Sequence, residues 1–354
     1  MDDCYHNKRD EVVPFNQNKT ILVTGGAGFI GSHLIRYLLD LGHNVISIDN
    51  YFSGKKQSLE NFRHHPKFEM IRHDIIEPIR IEVDEIYHLA CPASPVHYQR
   101  NPIYTMKTCF LGTMNMLGLA KRSGAKIVVA STSEIYGDPL IHPQPESYYG
   151  NVNCTGTRSC YDEGKRIAES LCVEYYRQHN VDVRIARIFN TFGPNMLCND
   201  GRVISNFITE ALNKQPLSIY GDGTQTRSFC YISDLVRGLY ELMNIDRSNI
   251  QGDSPFNLGN PNEISILKLA NIIRDTIDPS LEFCFRTIPS DDPKKRKPDI
   301  SKARDKLGWE PEVSFEEGLK LTIEDFKMRF TDSNNDPSSI SPMHQIEAHL
   351  IIPK

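Results

Sequence analysis

The chain has 354 residues, of which 39% are hydrophobic and 24% are charged, proportions typical of a globular protein with one large core or two linked ones. Its formal net charge of −5 gives no reason to expect a nucleic acid or an anionic membrane as partner, and no apolar run approaches the length of a membrane span. The nine cysteines form no C-x-x-C pair, so they suggest neither a zinc site nor a disulfide framework. Their odd number, in a chain without the pattern of a signal peptide, fits a reducing cytoplasm.

The first clear element is a β-branched run at 20–23, followed by the glycine-rich sequence TGGAGFIG and then by apolar residues at helical spacing. Gly25, Gly28 and Gly31 therefore fall on a strand-to-helix turn. There they allow a tight turn, close approach of a pyrophosphate and close packing of helix on strand. The helix N-terminus offers free N–H groups to the phosphates. The alternative is a glycine turn in some other α/β protein.

A second strand at 44–48 ends at Asp49, eighteen residues after Gly31. An acidic residue at this place accepts hydrogen bonds from the ribose hydroxyls of a dinucleotide, which favours NAD over NADP. Strands and helices continue to alternate to about residue 187, which predicts a parallel sheet with helices on both faces and ligands at the carboxyl ends of its strands. The further strands are expected at 69–74, 85–90, 126–131 and 183–187.

Two long helices are predicted at about 103–123 and 161–179, and their apolar residues extend around more than one side. One interpretation is burial in the core. The other is that both helices also pack on a second subunit, so that the protein is a homodimer.

The alternation weakens after Asn190, where glycine, proline and short strands become frequent. The predicted fold class is α/β, a Rossmann-type doubly wound parallel sheet with a smaller C-terminal substrate-binding domain. We expect the dinucleotide domain at 19–188, with 228–258 returning to it, and mainly the substrate domain at 189–330. Residues 1–18, which lack the apolar core of a signal peptide, and 331–354 are expected to be disordered.

Tyr161 and Lys165 are four residues apart on a predicted helix and so share one face. A cation beside a phenol favours the phenolate and lowers its pKa. Such a tyrosine can take a proton from a hydroxyl while the carbon beneath gives a hydride to nicotinamide. Tyr51 and Lys55 repeat the spacing in a predicted loop, so position in the fold, and not spacing, selects Tyr161.

Thr132, Ser133 and Glu134 directly follow the fifth predicted strand. At the carboxyl end of that strand they would face the same cleft as Tyr161. The alternative is a helix cap with a following acid, which this stretch also satisfies.

Together, residues 24–31, Thr132-Ser133-Glu134 and Tyr161-x-x-x-Lys165 resemble the extended short-chain dehydrogenase/reductase superfamily. Longer stretches resemble the UDP-glucuronic acid decarboxylase (UDP-xylose synthase) family, and the resemblance covers about residues 19–328. These stretches are HLACPASP at 88–95, SEIYGDP at 133–139, CYDEGKR at 160–166, RIFNTFGP at 187–194, NDGRV at 199–203, QTRSF at 225–229 and RKPDI at 296–300.

The resemblance implies that NAD oxidises C4 of UDP-glucuronic acid to a ketone, that the carboxylate β to this ketone leaves as CO2, and that C5 is protonated before C4 is reduced to give UDP-xylose. It implies no metal, and similarity to members without a membrane anchor implies a cytoplasmic protein.

The resemblance also implies roles for individual residues. Tyr161 would be base and acid at O4, tuned by Lys165 and assisted by Thr132, while Ser133 and Glu134 would act around C5. Arg296 would lie near the carboxylate, although the basic run 294–297 could instead be solvated. Substrate would be held by Lys107, Asn190, Arg202, Arg227 and Tyr161. The expected cofactor-binding residues are Gly25, Gly28, Phe29, Ile30, Gly31, Asp49, Asn50, Phe52, Ser53, Gly54, Asp74, Ile75, Leu89, Cys91, Thr108, Ala130, Tyr161 and Lys165.

The chain departs from the family pattern at four places. Cys109 stands for asparagine, Cys154-Thr155 for Pro-Ile, Tyr149 for tryptophan and Asn195 for arginine. Activity is nevertheless expected, because the catalytic set is kept.

Two alternatives to a decarboxylase stay open. One is another sugar-nucleotide enzyme, such as a UDP-apiose/UDP-xylose synthase or a 4-epimerase; 4-epimerases lack a glutamate at Glu134, and 4,6-dehydratases carry aspartate at Ser133. The other is a non-catalytic NAD-binding relative, for which the changes at Cys109 and Asn195 are the supporting features.

Overall fold

A computed structural model describes residues 18–250, 255–287 and 295–333 of the protein. Most of the two segments expected to be disordered, 1–18 and 331–354, lies outside the described residues. The last helix continues to Ser333, so the first three residues of the expected tail are helical.

The strands and helices follow one another along the described part of the chain. The strands are β1 (Thr20–Thr24), β2 (Asn44–Asp49), β3 (Phe68–Arg72), β4 (Glu85–His88), β5 (Lys126–Thr132), β6 (Val183–Ile188), β7 (Thr191–Phe192), β8 (Leu217–Tyr220), β9 (Thr226–Ser228), β10 (Cys230–Tyr231), β11 (Phe256–Leu258), β12 (Glu263–Ser265), β13 (Phe283–Arg286) and β14 (Lys295–Arg296). The α-helices are α1 (Phe29–Asp40), α2 (Pro95–Tyr98), α3 (Pro102–Lys107), α4 (Thr113–Ser123), α5 (Ser159–His179), α6 (Val203–Leu212), α7 (Ile232–Asn244), α8 (Ile266–Ile277), α9 (Ser301–Leu307) and α10 (Phe315–Ser333).

Within the described residues, seven strands form one parallel sheet in the order β11-β6-β5-β4-β1-β2-β3. The chain moves outward from β1 to β3 and then crosses back to β4, on the other side of β1. The direction of winding therefore reverses between β1 and β4. In sheets of this kind the ligand crevice lies beyond the carboxyl ends of the strands at that reversal.

The sheet separates two hydrophobic cores because successive residues of a strand point to opposite faces. Ile21 and Val23 belong to one core, which also contains residues of α1, α6 and α7 and the fully buried Trp309. Leu22 belongs to the other core, together with Met116 of α4 and residues of α5. Both faces are covered by helices, as the alternating sequence predicts.

The smaller part of the molecule is built mainly from elements after β6. β8 pairs with β13, and β9 lies between β12 and β14. Helices α6 and α8 pack against one another and against β8. The chain returns to the main sheet through α7, which contacts β5 and β6, and through β11, which pairs with β6.

The long helix expected at 103–123 is divided. A π-helical turn, Thr108–Gly112, separates α3 from α4. Glycine suits position 112 because the Cβ atom of any other residue would lie only 2.4 Å from Cδ1 of Ile75. A single π turn adds one residue to the helix without changing which residue types are apolar, so periodicity does not predict it. None of the described helices is both long enough and apolar enough to cross a membrane.

Candidate active site

A cleft of about 1640 Å³ lies at the carboxyl ends of the main sheet and is closed on its other side by the smaller part of the molecule. One end is lined by the glycine-rich turn and the end of β2. The middle is lined by the ends of β4 and β5 and the start of α5. The far end is lined by Asn190, Arg202, Arg227 and Arg296.

The glycine-rich turn has the shape of a pyrophosphate cradle. Gly25 has φ +73°, and a Cβ on it would lie 2.8 Å from Cα of Ala90. A Cβ on Gly31 would lie 2.3 Å from the carbonyl oxygen of Gly25. Helix α1 begins directly after Gly28, without a side-chain cap and without an acidic residue in its first turn. Its first N–H groups therefore remain available to an anion, which fits a dinucleotide.

Asp49 ends β2 as expected and is buried beside this cradle. Its carboxylate accepts hydrogen bonds from the N–H groups of Ala27 at 3.0 Å and Tyr51 at 2.7 Å. Burial raises the pKa of Asp49, and these two bonds act in the opposite direction. The carboxylate is thus fixed at the edge of the cleft, where an adenosine ribose can be held.

Two of the expected binding residues do not line the cleft. The carboxylate of Asp74 is occupied, since it accepts hydrogen bonds from Asn50 at 2.9 Å and from the hydroxyl of Tyr104 at 2.5 Å. Its neighbour Ile75 lines the cleft instead. Lys107 ends α3 with its side chain on the exposed surface. The other expected cofactor, substrate and catalytic residues all contribute to the cleft lining.

Tyr161 lies in the middle of the cleft and stacks on Tyr98, with ring centroids 5.0 Å apart and planes 5° from parallel. Its hydroxyl shares a hydrogen bond with Thr132. Lys165 donates a hydrogen bond to the carbonyl oxygen of Ala130 at 2.7 Å, and its Nζ is 5.9 Å from the centroid of the Tyr161 ring. Tyr161, Thr132 and Lys165 are therefore brought together as predicted.

The expected lowering of the Tyr161 pKa is not what the structure gives. Burial raises the pKa of Tyr161 well above its usual value, the neighbouring Cys91 adds to this, and the bond to Thr132 opposes it. The physical reason is desolvation of the phenolate, which outweighs a lysine whose ammonium is already bonded to a carbonyl.

Glu134 is held between two arginines at the end of β5. It forms ion pairs with Arg296 and, at 2.6 Å, with Arg158. Burial alone would raise the pKa of Glu134, but the positive charges of Arg296 and Arg158 overcome it and lower the pKa to about 2. Glu134 is therefore ionised at neutral pH.

Arg296 is not part of a solvated basic run. Its side chain is 3% exposed, whereas the adjacent Lys295 is exposed. It donates to the carbonyl oxygen of Gly137 at 3.2 Å in addition to its bond with Glu134, and its Nε has no hydrogen-bond partner among the described residues.

Behind Glu134 lies a second, smaller chamber of about 250 Å³, lined in part by Glu134, Arg158 and Asp162. Asp162 is in the first turn of α5 and is 7% exposed. Burial, and then the negative charge of Glu134, raise the pKa of Asp162 to about 7. Glu134 and Arg158 line both spaces and so form the wall between them.

Three residues of this site were not predicted from the sequence: Arg158, Tyr98 and Asp162. Arg158 lies one helical turn before Tyr161, and this spacing is the signal that could have revealed it. Tyr98 is brought to the site by packing between distant segments, for which the sequence gives no local signal. Asp162 adjoins Tyr161 in α5, but the sequence does not show that it is buried beside Glu134.

The four departures from the family pattern fall in different surroundings. Cys109 is buried behind Cys91, and Asn195 lines the cleft with φ +66°, a conformation that asparagine tolerates. Tyr149 and Cys154 are exposed and do not line the cleft. Two of the four substitutions are therefore remote from the site.

A glycine cradle, an acid after the second strand and a Tyr–Lys pair beside the fifth strand define a short-chain dehydrogenase/reductase. Residues 22–322 match the family model described as GDP-mannose 4,6 dehydratase. The chain is 58% identical to UDP-glucuronic acid decarboxylase 4 of Arabidopsis thaliana over 91% of this chain and 72% of the relative. It is 57% identical to UDP-glucuronic acid decarboxylase 3 of the same plant, over 90% of this chain and 92% of the relative. The chain therefore belongs to the UDP-glucuronic acid decarboxylase family.

A solved structure of a related enzyme has a similar fold. The UDP-glucuronic acid 4-epimerase of Bacillus cereus, in complex with UDP-glucuronic acid and NAD, superposes with a TM-score of 0.79 at 29% sequence identity. The match covers 88% of this chain and 99% of that one.

Proposed function

We propose that the protein converts UDP-glucuronic acid to UDP-xylose and CO2 through a 4-keto intermediate, with NAD as a cofactor that is regenerated in each cycle. Relatives named for this activity are 57–58% identical to the chain. The observation that carries the proposal is the buried Glu134–Arg296 pair beside Tyr161 and Thr132. Tyr161 and Thr132 provide the base and the hydrogen-bond partner that a reaction at one ring carbon requires. The charged pair next to them suits a reaction that also involves the adjacent ring carbon.

NAD fits the cradle at Gly25, Gly28 and Gly31, with Asp49 accepting hydrogen bonds from the ribose. When bound, it supplies the reversible oxidation of C4. Leu89, Cys91 and Ala130 lie between the cradle and Tyr161 along the cleft wall and would contact the nicotinamide end. The structurally similar UDP-glucuronic acid 4-epimerase of Bacillus cereus was solved in complex with NAD, which supports this assignment.

Tyr161 takes the proton from the C4 hydroxyl and returns it at the end of the cycle. Thr132 hydrogen-bonds the same oxygen and holds it against the phenol. Because burial raises the pKa of Tyr161, the phenol needs help to ionise, and Lys165 stabilises the phenolate as charge develops. Oxidation at C4 places a carbonyl β to the carboxylate, so the electrons left by departing CO2 are delocalised onto the C4 oxygen.

Glu134 and Arg296 act around C5. The pKa of Glu134, about 2, makes it an anion that orients Arg296 and cannot itself release a proton at neutral pH. Two arginines around one glutamate carry a net charge of about +1 locally, which complements the substrate carboxylate. Arg296 and Ser133 both line the cleft, where they would face that carboxylate and C5.

Asn190, Arg202 and Arg227 would hold the sugar and the diphosphate from the far wall. An arginine fork pairs its N–H groups with phosphate oxygens. Arg202 already donates to the carbonyl oxygen of Ala93 at 2.9 Å, which fixes it at the cleft.

The direct experiment is to incubate the purified protein with NAD and UDP-glucuronic acid and to identify the products by NMR and mass spectrometry. UDP-xylose with one equivalent of CO2, lost in Tyr161→Phe, is the expected result. UDP-galacturonic acid would assign the chain to the 4-epimerases, and NAD binding without turnover would support a non-catalytic relative.

We also propose a cytoplasmic homodimer. Ile103, Met106 and Phe110 on α3 and the π turn, and Ile167 on α5, are 70%, 49%, 39% and 43% exposed. Helices α3 and α5 pack together, so these exposed apolar side chains lie on neighbouring elements and could form part of one subunit interface. Phe110→Asp with Ile167→Asp should yield monomers in analytical ultracentrifugation. Leu140→Asp, at a side chain 82% exposed elsewhere, should not.

A further inference from the structure

Two thiols from different elements meet at the wall of the cleft. Cys91 follows β4 and lines the cleft, and Cys109 lies behind it in the π turn, 2% exposed. Their Sγ atoms are 3.3 Å apart and share a hydrogen bond. Both cysteines are free thiols.

The packing around the pair holds the two sulfurs in contact. On the far side of Cys109 lies Gly164 of α5, where an added Cβ would be 3.0 Å from Sγ of Cys109. A side chain at this position would push Cys109 out of place, so the glycine leaves the room that the thiol occupies. Cys91 packs against the cluster of Tyr98, Cys160 and Tyr161.

The two thiols differ in their surroundings. The hydrogen bond with Cys109 lowers the pKa of Cys91, burial opposes this, and the ammonium of Lys165 lowers it further. The bond with Cys91 and burial raise the pKa of Cys109. Burial also raises the pKa of Cys172, which lies in the second core. Cys91 lines the cleft and Cys109 lies buried behind it, so a reagent in the cleft reaches Cys91 first and Cys109 is placed to resolve it.

We propose that Cys91 and Cys109 are an oxidant-modification site that forms a reversible disulfide when a small peroxide enters the cleft. The thiolate of Cys91 attacks one peroxide oxygen, the O–O bond breaks, and a sulfenic acid forms. The sulfur of Cys109 then attacks the Cys91 sulfur, the S–O bond breaks, and water leaves with the released proton. In sum, two thiols and one hydrogen peroxide give one disulfide and two waters, and two electrons pass from sulfur to oxygen.

The disulfide changes the cleft wall next to the reacting groups. The sulfurs must approach from 3.3 Å to the bonded distance of about 2.05 Å, which draws the loop after β4 toward the π turn. That loop adjoins Tyr161 and Lys165, so the oxidised protein should bind NAD more weakly and turn over more slowly. A cofactor in the cleft covers Cys91, so NAD should slow the oxidation. The effects on NAD and on turnover rest on the proposed function, whereas disulfide formation does not.

The test is to treat the full-length protein with hydrogen peroxide, with and without NAD, and to map its peptides without reduction. The expected product is a Cys91–Cys109 cross-linked peptide, formed at least several-fold more slowly with NAD and lost with dithiothreitol. Cys109→Ser should give no cross-link and instead a dimedone-trapped sulfenic acid at Cys91. Cys172→Ser, the matched control, should cross-link like the wild type.

Oxidation confined to the exposed Cys154 and Cys284, with Cys91 and Cys109 still reduced, would overturn the proposal. So would a Cys109→Ser protein without a sulfenic acid at Cys91. In the same samples decarboxylation should fall at least tenfold and recover with dithiothreitol. A cross-linked protein with unchanged turnover would refute the functional effect, while absence of turnover before oxidation would refute the proposed function and leave the cross-link result standing.

Discussion

Replacing Asp162 by asparagine should make the protein more stable at neutral and alkaline pH. Asp162 is 7% exposed, its Oδ1 has no hydrogen-bond partner within the described residues, and it faces the chamber that it shares with Glu134 and Arg158. Asparagine keeps the shape of the side chain and carries no charge, so the variant avoids the cost of ionising a buried carboxyl.

The size of the effect follows from the pKa of Asp162. Burial and the charge of Glu134 raise it from 3.8 to about 7, while the unfolded chain ionises near 3.8. Below pH 3.8 the carboxyl of Asp162 is protonated in both the native and the unfolded state, so it does not lower the free energy of unfolding. As pH rises to about 7 the native state loses stability at about 1.4 kcal/mol per pH unit, up to about 4 kcal/mol in total. The advantage of Asp162→Asn should therefore grow by about 2–3 kcal/mol between pH 5 and pH 8.

Urea unfolding of both proteins at pH 5, 6, 7 and 8 measures this difference. Glu163→Gln is the matched control, because Glu163 is the next residue of the same helix and its ion pair with Arg166, at 3.5 Å, joins side chains that are 36% and 37% exposed. Its effect should stay below about 1 kcal/mol at every pH. An Asp162→Asn advantage that is the same at pH 5 and pH 8 would refute the reasoning.

Three further substitutions address the site, and a fourth serves as a control. Glu134→Gln leaves Arg296 without its anionic partner and should lower the rate of CO2 release at least about 100-fold; release within threefold of wild type would show that the carboxylate is dispensable. Gly31→Ala places a Cβ 2.3 Å from a backbone oxygen and should weaken NAD binding at least tenfold by calorimetry. The control is Gly118→Ala, at a helical glycine with open space around it, which should bind NAD normally and stabilise the protein by about 0.5–1 kcal/mol. If the Gly31→Ala and Gly118→Ala proteins bound NAD with equal affinity, the cradle assignment would be contradicted. Tyr161→Phe should lower kcat about 10³-fold, and a loss confined to KM would mean that Tyr161 only binds substrate.

The parts of the site that depend on local sequence could be predicted. Gly25 and Gly31 are needed by a turn that the adjacent strand and helix define, and Asp49 ends a strand whose apolar residues mark it. Thr132 and Glu134 follow from the rule that polar residues after a parallel strand face the cleft. Each of these residues can be predicted from the residues next to it along the chain.

The remaining parts depend on contacts between distant segments. Tyr98 stacks on Tyr161 because α2 packs beside α5, and Arg296 is buried because β14 pairs with β9. The sequence places Asp74 at the end of a strand, but it cannot show that Asn50 and Tyr104 occupy its carboxylate. The N–H and O–H groups that meet a given carboxylate are set by tertiary packing, so the cofactor-binding role of Asp74 stays a prediction.

The most direct test of the central claim is the reaction of the protein with UDP-glucuronic acid and NAD in D2O, followed by NMR of the product. Loss of CO2 from a 4-keto intermediate leaves a carbanion at C5 that must take its proton from an exchangeable group. The account predicts UDP-xylose with one deuterium at C5 and none at C4. UDP-galacturonic acid as product, or UDP-xylose without deuterium at C5, would contradict it.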